Sequence, residues 1–110
     1  MTVGELRERL TLLSPVLVDD GQGGQTIDDW TAGDEVAAAI VPVGSREGIA
    51  LGGQQASMQV RITLRHRTDV TAPMRVRRVR DQQVYELMGP GRDVDGRRRW
   101  LELDAYEVRA

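Results

Sequence analysis

The chain has 110 residues, no cysteine, and 15 arginines against 17 aspartates and glutamates, for a formal net charge of −2. That length suits one domain, residues 1–110, whose core removes roughly two-thirds of the unfolded surface from water; without cysteine, disulfides and thiolate metal sites are excluded. The opening "MTVGELRERLTLL" lacks a basic start followed by an apolar stretch, and no apolar run approaches the roughly 18 residues of a membrane span, so a soluble protein with no membrane partner is expected.

The charge is unevenly spread. Residues 1–60 hold 3 arginines against 9 acidic residues, a net −6; residues 61–99 hold 11 against 5, a net +6; residues 100–110 hold 1 against 3, a net −2. Such polarity suits contact with copies of the chain itself or with an oppositely charged neighbour. No lysine occurs, which GC-rich coding explains without any selection for guanidinium chemistry.

Two-residue periodicity dominates from the start. "RERLTLLSP" places Leu10 and Leu12 on one face and stops at Ser14-Pro15. "VLVDDGQGGQTIDDW" then reads as a hairpin: an apolar run, a glycine-rich turn from Asp19 to Gly24, and a return through Ile27 to Trp30. "EVAAAIVPV" is short, β-branched at both ends and closed by Pro42, which predicts a buried strand, although its alanines also suit a helix.

Residues 43 to 57, "VGSREGIALGGQQAS", contain four glycines and no sustained period. They predict a long mid-chain loop with room for a turn or two of helix around Arg46 to Leu51, and a loop of that length in a small domain is usually functional or disordered. Beyond it, "MQVRITLRHR", "MRVRRVR", "QVYELM" and "RWLELDAYEV" are short alternating segments separated by "TDVTAP", "DQ" and "GPGRDVDGRR". The expected fold is all-β: a small antiparallel β-barrel or sandwich of about six to seven strands with one long mid-chain loop.

Catalytic chemistry is poorly represented. Nucleophilic catalysis needs a nucleophile beside a positioned base, yet His66 is the one histidine and Ser14, Ser45 and Ser57 sit in no elbow motif, so no enzyme is expected. His66 shares parity with Val60, Ile62 and Leu64 and reads as a strand-end residue on the core side. "DVDG" at residues 93 to 96 opens like a calcium loop but lacks its later ligands, which leaves a tight turn. "GIALGG" and "GPG" lack the lysine and hydroxyl residue of a phosphate-cradling loop, so no metal and no cofactor is expected.

"VRITLRHR" sends Val60, Ile62, Leu64 and His66 to one face and Arg61, Thr63, Arg65 and Arg67 to the other; Arg75, Arg77, Arg78 and Arg80 follow. A solvated outer strand face accounts for many of them. A phosphate-facing patch is the competing reading, but single-strand binders also use aromatic platforms, and Trp30, Tyr85, Trp100 and Tyr106 do not alternate with the arginines. Eleven arginines within 39 residues repel one another unless counter-charges arrive from elsewhere.

The order of the motifs resembles the head-tail joining family of tailed bacteriophages, the head-closure or stopper proteins. The likeness rests on Gly4 with Leu6-Arg7-Glu8-Arg9, Gly23-Gly24 with Trp30, and Ser45-Arg46-Glu47. It continues with Arg61-Ile62, Arg65 and Arg67, then Met74-Arg75-Val76, Val84-Tyr85-Glu86-Leu87, and Arg99 with Leu101-Glu102-Leu103. The chain departs from the family at Val60, Asp81-Gln82 and Ala105, where histidine, glycine and cysteine are common.

The resemblance implies a structural virion protein, assembled in the bacterial cytoplasm and resident in the particle neck of a phage, prophage or gene transfer agent. It would dock as a homo-oligomeric ring below the portal and adaptor rings, close the DNA exit channel, and offer the attachment surface for a tail terminator or tail-completion protein. Arg46, Glu47, Gly48, Ile49, Leu51, Gln54 and Gln55 would form the channel loop. Arg61, Arg65, Arg67, Arg75 and Arg77 would face neighbouring subunits or, non-specifically, the phosphates of genomic DNA. The alternatives are a minor tail protein, such as a terminator or tube-associated subunit, and a small β-barrel nucleic-acid binder.

Overall fold

The computed structural model describes residues 5–45 and 58–108. Among them the alternating segments form seven strands: β1 (Glu8–Asp19), β2 (Gln25–Ser45), β3 (Met58–Arg65), β4 (Arg75–Arg78), β5 (Val84–Leu87), β6 (Arg92–Asp93) and β7 (Trp100–Glu107). All pair antiparallel in the order β3-β2-β1-β4-β5-β7-β6, and a further β3–β7 ladder closes the sheet on itself. Closure removes much of the free edge that an open sheet would present to other chains, leaving it where β1 and β2 outrun their neighbours.

The interior follows from side-chain parity. Val60, Ile62 and Leu64 of β3 face inward and meet Ala105, Leu103 and Leu101 across the β7 ladder. Leu10 and Leu12 of β1, Val70 between β3 and β4, Val76 of β4, and Tyr85 and Leu87 of β5 complete the core, with Ala38 the fully buried small residue of β2. Each large aliphatic side chain buried this way contributes about 1.5–3 kcal/mol. Gly91 is part of the same packing: a Cβ there would stand 2.6 Å from Leu101 Cγ, so the β5–β6 connection lies against the core only as glycine.

Two expectations about strand ends need correction. Ser14-Pro15 does not end the first strand: β1 runs through it to Asp19, and Pro15 pairs with Trp30. Nor does Pro42 close its segment, because β2 is one strand of 21 residues that includes the hairpin return and continues to Ser45. Both prolines lie where only one neighbour is present. β4 pairs with β1 only over Leu10 to Leu13, and β1 pairs with β2 only up to Ala38. A missing N–H therefore breaks no ladder bond on that side. Register shifts in the β1–β2 and β2–β3 ladders fall in β2, which bends the long strand around the body.

The predicted hairpin turn is present and built by carboxylates. Asp19 Oδ1 accepts from the Gly21 N–H at 2.9 Å, and Asp20 Oδ1 accepts from Gln22 and Gly24 at 2.8 and 3.1 Å. Gly21 and Gly23 take φ of 79° and 85°, the left-handed region glycine enters freely. The separator "GPGRDVDGRR" also holds a strand: β6 pairs through Arg92 and Asp93 with Glu102 and Leu101, and the tight turn follows it.

Candidate functional site

The arginine face lies on the outside of the closed sheet, and the chain neutralises much of it internally. Arg61 reaches Glu102 at 3.6 Å and Asp104 at 3.7 Å, and Arg92 bridges the same two carboxylates at 2.9 and 3.2 Å. This four-member cluster crosses β3, β7 and β6 and carries no net charge. Arg67, two residues past β3, holds Asp69 through both Nε and Nη2 at 2.9 Å and Asp34 of β2 at 2.8 Å. Arg78 takes Asp81 bidentately at 2.8 and 2.6 Å, Arg80 takes Glu8, Arg9 takes Glu35, and Arg99 takes Asp95. Planar guanidinium–carboxylate pairs of this kind fix geometry as well as charge.

The electrostatic consequence is visible in the carboxylates. The hydrogen bond from Arg78 holds the Asp81 carboxyl down at about 2, and those from Arg67 and Arg99 hold Asp69 and Asp95 below the usual range. The bonds to Asp69 and Asp34 push the Arg67 guanidinium further up, the bond to Asp81 does so for Arg78, and those to Glu102 and Asp104 do so for Arg92. Tyr85 is raised because it is desolvated in the core.

Among the described residues, three arginines rest on rings. Arg75 lies 4.5 Å from the Trp30 centroid, Arg65 lies 5.5 Å from Trp100, and Arg78 lies 5.6 Å from Tyr85. Alternation along one strand hides these pairs, because each joins residues of two different strands, and only Arg78 and Tyr85 are close in the chain. Register supplies the signal: Arg65 is the direct partner of Trp100 in the β3–β7 ladder. The Arg75 Nε is buried with no hydrogen-bond partner.

Of the five arginines proposed to face partners, Arg61 and Arg67 are thus held by carboxylates and Arg65 and Arg75 by tryptophans. Arg77, half-buried and paired in register with Thr11 and Val84, makes no salt bridge among the described residues. Arg61, Arg65 and Arg67 share one side of the body, while Arg75 and Arg77 lie on β4, across the closed sheet from β3. Thr63, between Arg61 and Arg65, is buried rather than solvated. His66 is half-buried, and its N–H donates to the Arg99 carbonyl at 3.1 Å.

The channel-loop residues Arg46, Glu47, Gly48, Ile49, Leu51, Gln54 and Gln55 lie outside the described residues. Their flanks do not: Ser45 and Met58 are ladder partners, so the chain leaves and re-enters the body at adjacent points.

The sequence reading did not anticipate an arm. Beyond Leu13 and before Ala32, β1 and β2 pair only with each other, forming a two-stranded ribbon that extends past the body. Leu17 and Ile27 are partners on one face, 50% and 43% exposed, and Val16 and Val18 are also exposed. Its acidic residues are Asp19, Asp20, Asp28 and Asp29, and it carries no basic residue.

These features can be set beside known proteins. Residues 1–108 match the family model described as phage head completion protein. The chain is similar to head completion protein gp7 of Enterobacteria phage HK97, 28% identical over 93 residues, covering 82% of each chain. Its fold is similar to the solution structure of protein SF1141 from Shigella flexneri 2a, with TM-score 0.66 and 29% identity, covering 97% of this chain and 96% of that one. It is also similar to a chain in the virion of a native gene transfer agent particle, with TM-score 0.72 and 27% identity, covering 94% of this chain and 98% of that one. The chain belongs to the phage head completion protein family, structural proteins of the head-tail connector in virion assembly.

Proposed function

We propose that this chain is the stopper of the neck: it docks as a ring below the portal and adaptor, closes the DNA exit channel, and presents the surface on which the tail assembles. The observation that carries this reading is the likeness, over almost the whole of both chains, to a subunit of an assembled virion. The geometry is compatible with the role. A closed sheet with its core filled by Ile62, Leu64, Leu103 and Tyr85 is a rigid block that keeps its shape when packed into a ring.

Closure of the channel falls to residues 46 to 57. Their flanks, Ser45 and Met58, are partners in the β2–β3 ladder, and β3 is paired in turn with β7, so the segment starts and ends on the braced body. The action is steric and electrostatic, with any charge on the segment repeated around the ring. Portal and adaptor subunits on one side, and the tail terminator or tail-completion protein on the other, are the partners this requires.

The experiment is deletion of Ile49 to Gln55 in the phage or gene transfer agent that encodes the chain. The variant is expected to fold and to enter particle necks, while DNA-filled heads lose their DNA before tails join. Retention at the parental level would remove the loop assignment, and absence of the chain from the necks of intact particles would remove the whole reading.

A further inference from the structure

We propose that the β1–β2 arm of one copy docks on the turn between β6 and β7 of a second copy, head to tail, and that this contact joins neighbours. The inference rests on the ring reading above and assigns the surfaces that build the ring.

The arm is a structure without a reason to stand alone. Two-stranded ribbons are marginal in water unless a further element covers a face. Only its base is covered: Trp30 and Pro15 are half-buried, with Arg75 over the indole. Leu17 and Ile27, side by side further out, are not. Strand addition is an unfavourable way to cover it, since Pro15 lacks a donor and the register shift at Asp28 kinks the other edge. A face is what the arm offers.

Charge selects the occupant. The four arm aspartates form no salt bridge among the described residues, whereas Asp34 and Glu35 at the base are already held by Arg67 and Arg9. The complementary patch is the turn after β6. Val94 is 54% exposed there, and Arg97 and Arg98 are exposed without a salt bridge among the described residues, although most of the other arginines of residues 61–99 are engaged. Their backbone N–H groups donate to Asp95 Oδ1 and to the Asp93 carboxylate, so both exposed arginines belong to a set turn. An apolar pair beside carboxylates that no salt bridge neutralises thus has a counterpart in a turn that exposes Val94 and, past Asp93 and the Arg99-paired Asp95, the two guanidiniums of Arg97 and Arg98.

Topology places the two surfaces so that copies can join in series. In the closed order the β1–β2 seam lies across from the line of β5 and β6, so arm and turn occupy opposite flanks. They occupy the same end: just beyond β3, the His66 N–H bonds to Arg99 where the turn finishes, and Arg67 bonds to Asp34 at the base of the arm. Because the two surfaces differ, the contact is heterologous, and repetition of one such contact closes a ring when its rotation divides the circle.

The chain has no cysteine, which makes the test clean. Leu17→Cys and Val94→Cys are introduced together and singly, particles are purified, and mild oxidation is followed by a non-reducing gel. The double variant is expected to give a ladder of multimers and neither single variant any. A dimer from Leu17→Cys alone would mean arm against arm and overturn the proposal, as would a double variant present in necks without a ladder. Absence of the chain from necks would instead sink the ring reading and this inference with it. A charge exchange checks the chemistry: Asp28→Arg with Asp29→Arg lowers the yield of tailed particles about tenfold, and adding Arg97→Asp with Arg98→Asp restores it. Failure of that restoration counts against the assigned partner.

Discussion

Arg75 lies with its guanidinium carbon 4.5 Å from the centre of the Trp30 ring, and this stack is where the arm is fastened to β4. Trp30 comes from the base of the ribbon and Arg75 from the first position of β4, paired in register with Leu13. The contact therefore sets the angle at which the arm leaves the body. Trp30→Ala is expected to lower stability by about 1–3 kcal/mol, combining the cation–π contact with lost apolar burial. Hydrogen exchange should rise at Val16 to Val18 and Ile27 to Trp30 while β3 and β7 keep their protection. Uniform acceleration across the sheet would show that Trp30 supports the body and not the arm.

A second prediction concerns the β4–β5 turn. Gln82 has φ of 63°, although it carries a side chain, and its N–H donates to the Arg78 carbonyl at 2.7 Å. A left-handed backbone costs a side-chain-bearing residue about 1–2 kcal/mol. Its amide returns part of this through a 3.0 Å bond to the Val79 carbonyl. Gln82→Gly is expected to stabilise the chain by about 0.5–1 kcal/mol, after allowing for the greater freedom glycine has when unfolded. Urea denaturation decides it, and a loss of stability would mean that the amide bond outweighs the backbone strain.

Legibility in the sequence followed the range of the interactions. Alternation in "VRITLRHR" placed Val60, Ile62 and Leu64 in the core, because parity along one strand is local information. The Asp19–Gly24 turn was equally readable, since its carboxylates and glycines act within four residues of one another. The choice of strands that close the sheet, the arm and the ion pairs were not, because each depends on which strands meet. Arg80 finds Glu8 across 72 positions and Arg67 finds Asp34 across 33. Pro15 and Pro42 misled for the same reason: a proline interrupts a strand only where a neighbour would have used its N–H, and sequence does not say where neighbours are absent.

Internal pairing of the arginines bears on nucleic acid. Arg9, Arg61, Arg67, Arg78, Arg80, Arg92 and Arg99 all form salt bridges to the chain's own carboxylates. Exchanging those partners for phosphates gains little, so few counterions would be released on binding. The purified chain is expected to bind random duplex DNA weakly at physiological salt, with a shallow dependence of log affinity on log salt. Tight binding by the isolated subunit, with a steep slope, would favour the nucleic-acid reading over the assembly reading.

The same pairs give the fold an acid limit. Asp69, Asp81 and Asp95 bind protons more weakly when folded than when unfolded, because Arg67, Arg78 and Arg99 hydrogen-bond to their charged forms. The stability they contribute is fully present above the unfolded carboxylate range near pH 4 and is lost as pH falls below it. The Asp81 share declines across this range and is gone once pH has fallen through about 2, where that carboxyl protonates in the folded chain. Urea midpoints measured from pH 6 to pH 2 should hold steady and then decline below pH 4. Asp81→Asn removes its carboxylate from this linkage and should make the decline shallower. An identical decline in that variant would place the acid sensitivity elsewhere, because a group that no longer titrates cannot contribute a slope.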